Sequence, residues 1–362
     1  MIEKYITEMR TLTGKIDRPV RIMEVCGTHT MAAFRTGLRS MLPGGVSLLS
    51  GPGCPVCVTP DTYLDQAIAL AGFPGIVVTT FGDMMRVPGS ESSLERARAL
   101  GSDVRIVYSP ADALGAARAE PSRHFVFLGV GFETTTPTVA WALKEAKRRG
   151  VRNFSVMCGH KTIPAAMNAL LSGGEVHIDG FMCPGHVSVV IGSQAYEPLC
   201  RQQRIPCVVT GFEAADMALG ICMILRQIVS NRHEVEIEYS RTVTKQGNEA
   251  AQLACDEVFV RSDSEWRGLG VIPGTGLQIR EDFAEHDTLR IHPEKIDAVL
   301  ARQVRKAPSS CRCGDVLRGI LSPPDCPLFG IRCTPVDPIG PCMVSSEGTC
   351  SAYFKYGCRQ HY

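Results

Sequence analysis

Cysteine is the residue whose number and spacing first call for chemistry in this sequence. Seven of its 16 cysteines, Cys311, Cys313, Cys326, Cys333, Cys342, Cys350 and Cys358, fall between residues 311 and 358, in a stretch also rich in proline. A short, loop-like segment of this kind rarely folds on apolar burial alone, and a metal or a disulfide staple is the usual support. Four cysteine thiolates hold a cubane iron–sulfur cluster. Structural zinc sites favour two tight C-x2–4-C knuckles, and this segment has none, so its wide, irregular spacing fits a cluster better.

Other chemically able residues stand at the ends of apolar runs. Cys54 and Cys57 form a C-x-x-C pair within GPGCPVC, stiffened by Pro52 and Pro55. That spacing closes a disulfide, or supplies two ligands to a zinc or iron site, or does neither. Cys26 is followed by Gly27, Thr28 and His29. Cysteine with histidine nearby suits a soft transition metal, whereas a lone cysteine after a strand is otherwise a structural thiol. His29, His160 and His186 taken singly read as ordinary hydrogen-bonded residues. Glu133, within GFETTTP, is either a first-turn helix carboxylate, an acid/base, or a carboxylate behind a metal ligand. Cys200, Cys207, Cys222 and Cys255 sit singly in apolar stretches and read as small buried hydrophobes.

The elements that must position these groups are legible from periodicity. RIMEV, VSLLS, GIVVTT, VRIVY, FVFLGV, FSVMC, IDGFMC and CVVTG are strand-like, with helical patterns between them. Near-continuous apolar strands alternating with helices predict parallel sheets covered on both faces. Thr59-Pro60, Ser109-Pro110 and Thr136-Pro137 each place a hydroxyl before proline, predicting helix starts. The expected fold class is α/β. Two Rossmann-like domains of four consecutive strands each, at 19–118 and 119–230, face a cleft, and a single eight-stranded barrel is the rival. A smaller irregular third domain is expected from 1–18 with 231–362. The motifs all follow strands, where parallel sheets build their sites.

Composition narrows the function classes. The 362 residues are 44% hydrophobic, and Lys+Arg (38) nearly balances Asp+Glu (37), a net charge of +1. No basic stripe suggests nucleic acid and no basic amphipathic helix suggests a membrane surface. No run reaches the roughly 18 apolar residues of a membrane span. The N-terminus lacks a secretory apolar core, so the expected compartment is the cytoplasm.

Taken together, MEVCGTHT, GPGCPVCVTP, TTFGDMMRVPGS, GFETTTPT, CPGHVSVVIG, EWRGLGVIP, CGDVLRG, PPDCPLFG and PCMVSSEGTC resemble the HypD family of hydrogenase maturation factors over essentially the whole chain. The resemblance implies a redox-active scaffold, rather than a conventional turnover enzyme, for building the Fe(CN)2CO unit of [NiFe]-hydrogenases. The family's cluster spacing C-x14-C-x6-C-x16-C falls on Cys311, Cys326, Cys333 and Cys350, leaving Cys313, Cys342 and Cys358 outside a [4Fe-4S] cluster. Cys26 matches the ligand of the transient Fe(CN)2CO iron, with a cysteine of a small HypC-like chaperone as another ligand. A HypE-like partner carries a thiocyanate and donates cyanide. Cys54 and Cys57 match a redox pair, with Cys313 and Cys342 as an intermediate thiol pair. His186 and Glu133 would handle protons or orient ligands, and His29 is auxiliary. The expected assembly is a monomer within a hetero-complex. A freestanding iron–sulfur thiol–disulfide reductase is the competing reading.

Overall fold

In the computed structural model, which describes residues 2–172, 174, 176–300 and 310–357, all eight strand-like runs form strands. They are β1 (Val20–Glu24), β2 (Val46–Ser50), β3 (Ile76–Thr80), β4 (Val104–Ile106), β5 (His124–Gly129), β6 (Phe154–Cys158), β7 (Gly180–Pro184) and β8 (Cys207–Thr210). A ninth, β9 (Val235–Ile237), comes from HEVEIEYSRTV. Every residue of β3 and β7 is buried, as strands covered on both faces require.

The strands pair differently from the expected four and four. Sheet one runs β2-β1-β7-β8-β9 and sheet two β4-β3-β5-β6, both wholly parallel. β1 has β2 on one side (Val20 opposite Val46) and β7 on the other (Ile22 opposite Gly180). The chain thus leaves sheet one after β2, completes sheet two, and returns. Apolar periodicity identifies strands but carries no information on partners, because a parallel pair needs only a crossover of sufficient length. The two sheets exclude the barrel.

Residues outside the predicted sheet span also join the sheets. β9 is an edge of sheet one. The helix Ile2–Thr13 buries Ile6, Met9 and Leu12 against Ile221 and Leu225 of the helix Ala214–Val229, within sheet one's core. The hairpin of β10 (Phe259–Trp266) and β11 (Gly270–Ile279) packs on sheet two, where Phe259 and Ile279 meet Phe125, Phe127 and Phe154. Of the three predicted helix starts, Ser109 forms a full capping box with Asp112. At the other two, Thr59 instead donates to Pro55 O, and Thr136, already helical, donates to Phe132 O.

Both sheets have a switch point, where consecutive crossovers run in opposite directions and a crevice opens at the strands' carboxyl ends. In sheet one this lies between β1 and β7, followed by Cys26 and by Gly185-His186. In sheet two it lies between β3 and β5, followed by Asp83 and Glu133. Residues 310–357 add only short helices, such as Cys313–Leu317, Pro341–Val344 and Thr349–Tyr356. Their own apolar cluster is small, centred on Leu328, Cys333 and Met343.

Candidate metal and thiol centre

Cys26 follows β1 by two residues, in extended conformation, and precedes the helix Gly27–Arg35, whose first turn bonds back to its carbonyl through His29 N and Thr30 N. The GPGC loop lies directly on it. A Cβ at Gly53 would stand 2.4 Å from Cys26 N and Cα, and Gly27 N donates to Gly53 O at 3.1 Å. Only a residue without a side chain allows that approach. The Cys26 thiol is buried and pushed up to about 11, first by loss of solvation and then by the nearby Glu347 carboxylate. Glu347 comes from the C-terminal segment and accepts a 2.7 Å hydrogen bond from Thr28 Oγ1.

His29 and His186 share this crevice. His29 is wholly buried, with Nε2 at 3.1 Å from Thr210 O and 3.0 Å from Gly211 O. Those carbonyls accept only from a protonated nitrogen, so Nε2 carries the hydrogen. Nδ1 has no partner among the described residues, and burial lowers the ring to about 4, keeping it neutral. Phe212 lies between the two imidazoles, its ring centroid 4.6 Å from His29 and 4.0 Å from His186. His186 is lowered by burial, with Glu347 pulling the other way.

Cys54 and Cys57 form a disulfide across one turn, with Cα atoms 5.3 Å apart. Pro55 starts the helix Pro55–Val58, and Cys57 N donates to Cys54 Sγ at 3.2 Å. The helix Pro341–Val344 packs against this turn and carries Cys342, which is hydrogen-bonded to Cys313, and all four cysteines belong to the large core common to both sheets. Arg267 ties the region together. Its side chain is 10% exposed, pairs with Asp61 at 2.6 Å and donates to Pro88 O at 3.0 Å, while its backbone N donates to Val58 O. Its charge favours the thiolates of Cys311, Cys313 and Cys342.

Cys311, Cys326, Cys333 and Cys350 line one cavity, together with Cys313 and Cys342. The rest of the wall is Arg312, Val316, Leu328, Phe329, Gly340 and Met343. A Cβ on Gly340 would stand 2.4 Å from Cys311 Sγ, so glycine is what leaves room for that sulfur. Cys313 bridges the two sets. Its hydrogen bond from Cys311 favours its thiolate, that with Cys342 and burial oppose it, and the thiol ends at about 12. Cys350 is pushed well up by burial and by the other sulfurs. Among the described residues no group of three or more His, Cys, Asp or Glu is arranged to hold a single metal ion. A cubane makes a different demand, because each of its four thiolates binds a different iron. The all-sulfur donor set in an apolar wall fits such a group. Cys358 lies outside the described residues.

Glu133 does not join Cys26. It follows β5 into a separate cavity with Thr162, Cys255 and Arg261. The CGH histidine, His160, is buried beside Cys158, whose thiol donates to Leu277 O at 3.1 Å. Sequence reasoning did not single out Glu347, Arg267 or Phe212. The first two stand inside SSEGTC and EWRGLGVIP, but nothing local ties them to cysteines hundreds of positions away.

A family model described as HypD: Hydrogenase formation hypA family matches residues 1–357. The chain belongs to the HypD family. It is similar to the hydrogenase maturation factor HypD of Azotobacter vinelandii, 48% identical over 347 residues that cover 94% of this chain and 90% of the relative. The HypD factor of Cupriavidus necator is 46% identical over 376 residues, 98% of this chain and 97% of its own. That of Escherichia coli is 45% identical over 357 residues, 98% and 94% respectively. HypD relatives thus align with both sheets and with the cysteine-rich segment. No helix among the described residues is long and apolar enough to cross a membrane.

Proposed function

We propose that this protein is a hydrogenase maturation factor that holds an iron at Cys26 while that iron receives cyanide, from a partner protein, and carbonyl. The observation that carries this reading is the convergence on Cys26 of three distant segments: its own strand end, the GPGC loop that bears the disulfide, and Glu347 of the cysteine-rich segment. The iron is cargo. It displaces the thiol proton, since the thiolate is the ligand, and soft thiolate ligation suits an iron that carries cyanide and carbonyl. Cys26 is buried beneath two loops, so a small chaperone of the HypC kind would supply a further cysteine from outside.

Cyanide would come from a thiocyanate carried by a HypE-like donor. Cleaving R–S–CN to a thiol and hydrogen cyanide consumes two electrons and two protons. The Cys54–Cys57 dithiol supplies both on closing to its disulfide, so the step balances. Regenerating the dithiol needs two more electrons, and Cys342 and Cys313 lie in the same buried cluster as the disulfide. Cys311, Cys326, Cys333 and Cys350 would hold a [4Fe-4S] cluster, which stores and passes single electrons when bound. His186 stands close enough to Glu347 to feel its charge, and the pair would relay protons at this crevice. A freestanding thiol–disulfide reductase remains the second reading, favoured by the packing of Cys342 against the disulfide turn.

Anaerobic co-purification with the small chaperone separates the two. About four irons with matching sulfide are expected in wild type and Cys26→Ala alike, four being the content of a cubane. One further iron that depends on the chaperone is expected only in wild type. Equal iron in both proteins would favour the reductase.

A further inference from the structure

The cavity above the carboxyl ends of β5 and β6 has no part in the iron and thiol centre. None of the residues that touch Cys26 or the disulfide lines it. Its volume is about 330 Å³, within the range of small-molecule sites. Strand ends of sheet two form its floor, and residues after β7 of sheet one form a wall.

Two buried polar atoms on that floor lack any protein partner among the described residues: Glu133 Oε2 and Thr162 Oγ1. Their other polar groups are satisfied. Glu133 Oε1 accepts from Ile163 N at 2.9 Å, and Thr162 N donates to Thr275 O at 2.9 Å. Buried polar atoms are nearly always paired, and an orphan costs about 1–3 kcal/mol. Both residues line one cavity, so a polar ligand there is the natural partner for the two orphans. The rest of the wall mixes apolar Val190, Phe259 and Leu277 with Gln194 and Gln252, while Asp256 and Arg261 are exposed. The ionisable lining carries two carboxyls against one guanidinium, and Arg261 is near enough to Glu133 to feel its charge without hydrogen bonding to it.

We propose that this cavity binds a primary ammonium group on a short apolar stem, with Glu133 Oε2 and Thr162 Oγ1 as its acceptors. The ammonium supplies three donors, of which two meet the orphans, and the stem covers the apolar wall. A free alkyl diamine and the lysine side chain of a partner protein share this chemistry. The inference does not rest on the iron reading.

The test is calorimetric titration of the full chain, under anaerobic conditions, with cadaverine, with N-acetyl-lysine methylamide, and with pentanol as the uncharged control. Saturable binding of at least one amine is expected, without binding of pentanol. Glu133→Gln keeps the acceptor for Ile163 N and should weaken binding at least tenfold. Thr162→Val should weaken it less, and Arg261→Gln should tighten it by removing a competing cation. Tighter binding of the lysine derivative would mark a partner's side chain as the occupant, and tighter binding of cadaverine a free amine. No saturable binding by either amine, equal binding by Glu133→Gln, or loss of binding in Arg261→Gln would overturn the proposal.

Discussion

The two sheets and the segment 310–357 are held together by different means. Sheet two encloses Phe125, Phe127 and Phe154 with helix residues such as Val139, Leu143 and Ala146, all within 1% of complete burial. The C-terminal segment's own apolar cluster is Leu328, Cys333 and Met343, one of them a thiol, while Cys313, Leu317 and Cys342 pack into the core it shares with the sheets. Six of its cysteines line a cavity, and three of those, Cys313, Cys333 and Cys342, are also buried core residues. The sheets would keep their form without any cofactor, whereas under the proposed function a cluster in the cavity would help to offset the entropy of ordering the segment. The difference also sets where reactive groups can stand. The rigid sheets position Cys26 and the disulfide at strand ends, and the adaptable segment reaches over them with Glu347 and Cys342.

The largest expected effect tests that difference directly. Cys333→Ser should abolish cluster iron and sulfide and expose residues 310–357 to protease, with the far-ultraviolet signature of the sheets retained. If the segment kept full protease resistance without iron, its dependence on the cavity's occupant would be refuted. Phe127→Ala should do the reverse. A loss of about 3–5 kcal/mol of global stability is expected from emptying a packed aromatic site, and iron per folded molecule should stay unchanged. Chemical denaturation with iron analysis of the folded fraction reads both quantities.

Smaller effects sharpen the picture of the sheets. Burial raises the Glu133 carboxyl from 4.5 to about 7, so the folded protein holds that proton more tightly than the unfolded chain. The associated stability is present at low pH and is lost as pH rises from about 4.5 through about 7. Between pH 5 and 8, Glu133→Gln should therefore lose less stability than wild type, by on the order of 2 kcal/mol. Parallel stability–pH curves for the two proteins would contradict this. Ser109→Ala removes one cap of a surface helix and should cost about 1 kcal/mol, with no change in iron. A larger loss in a thermal melt would mean that the helix Pro110–Ala119 contributes more than its own packing.

Some features were open to sequence reasoning because their causes are local. Apolar run lengths identified the eight strands, and the Ser-Pro signature located the helix at Ser109, where a box with Asp112 forms. The other two hydroxyl–proline pairs misled by one residue, since each threonine found a carbonyl four positions back. The motif cysteines were visible as motifs, and their convergence was anticipated from their places at strand ends. Glu133 shared that placement yet went to a different cavity, because it follows a strand of sheet two whereas Cys26 follows a strand of sheet one.

The sequence by itself determined the α/β class, the strand segments and the concentration of cysteines in the C-terminal segment, because residue type and local spacing govern these. Tertiary structure alone decided that β1 and β2 pair with β7 to β9, which put Cys26 beside His186 at a switch point. It also brought Glu347 to Thr28 across 319 positions and Arg267 between the disulfide turn and the thiols. Those contacts form only when whole sheets and their crossovers have packed, and no local pattern encodes them.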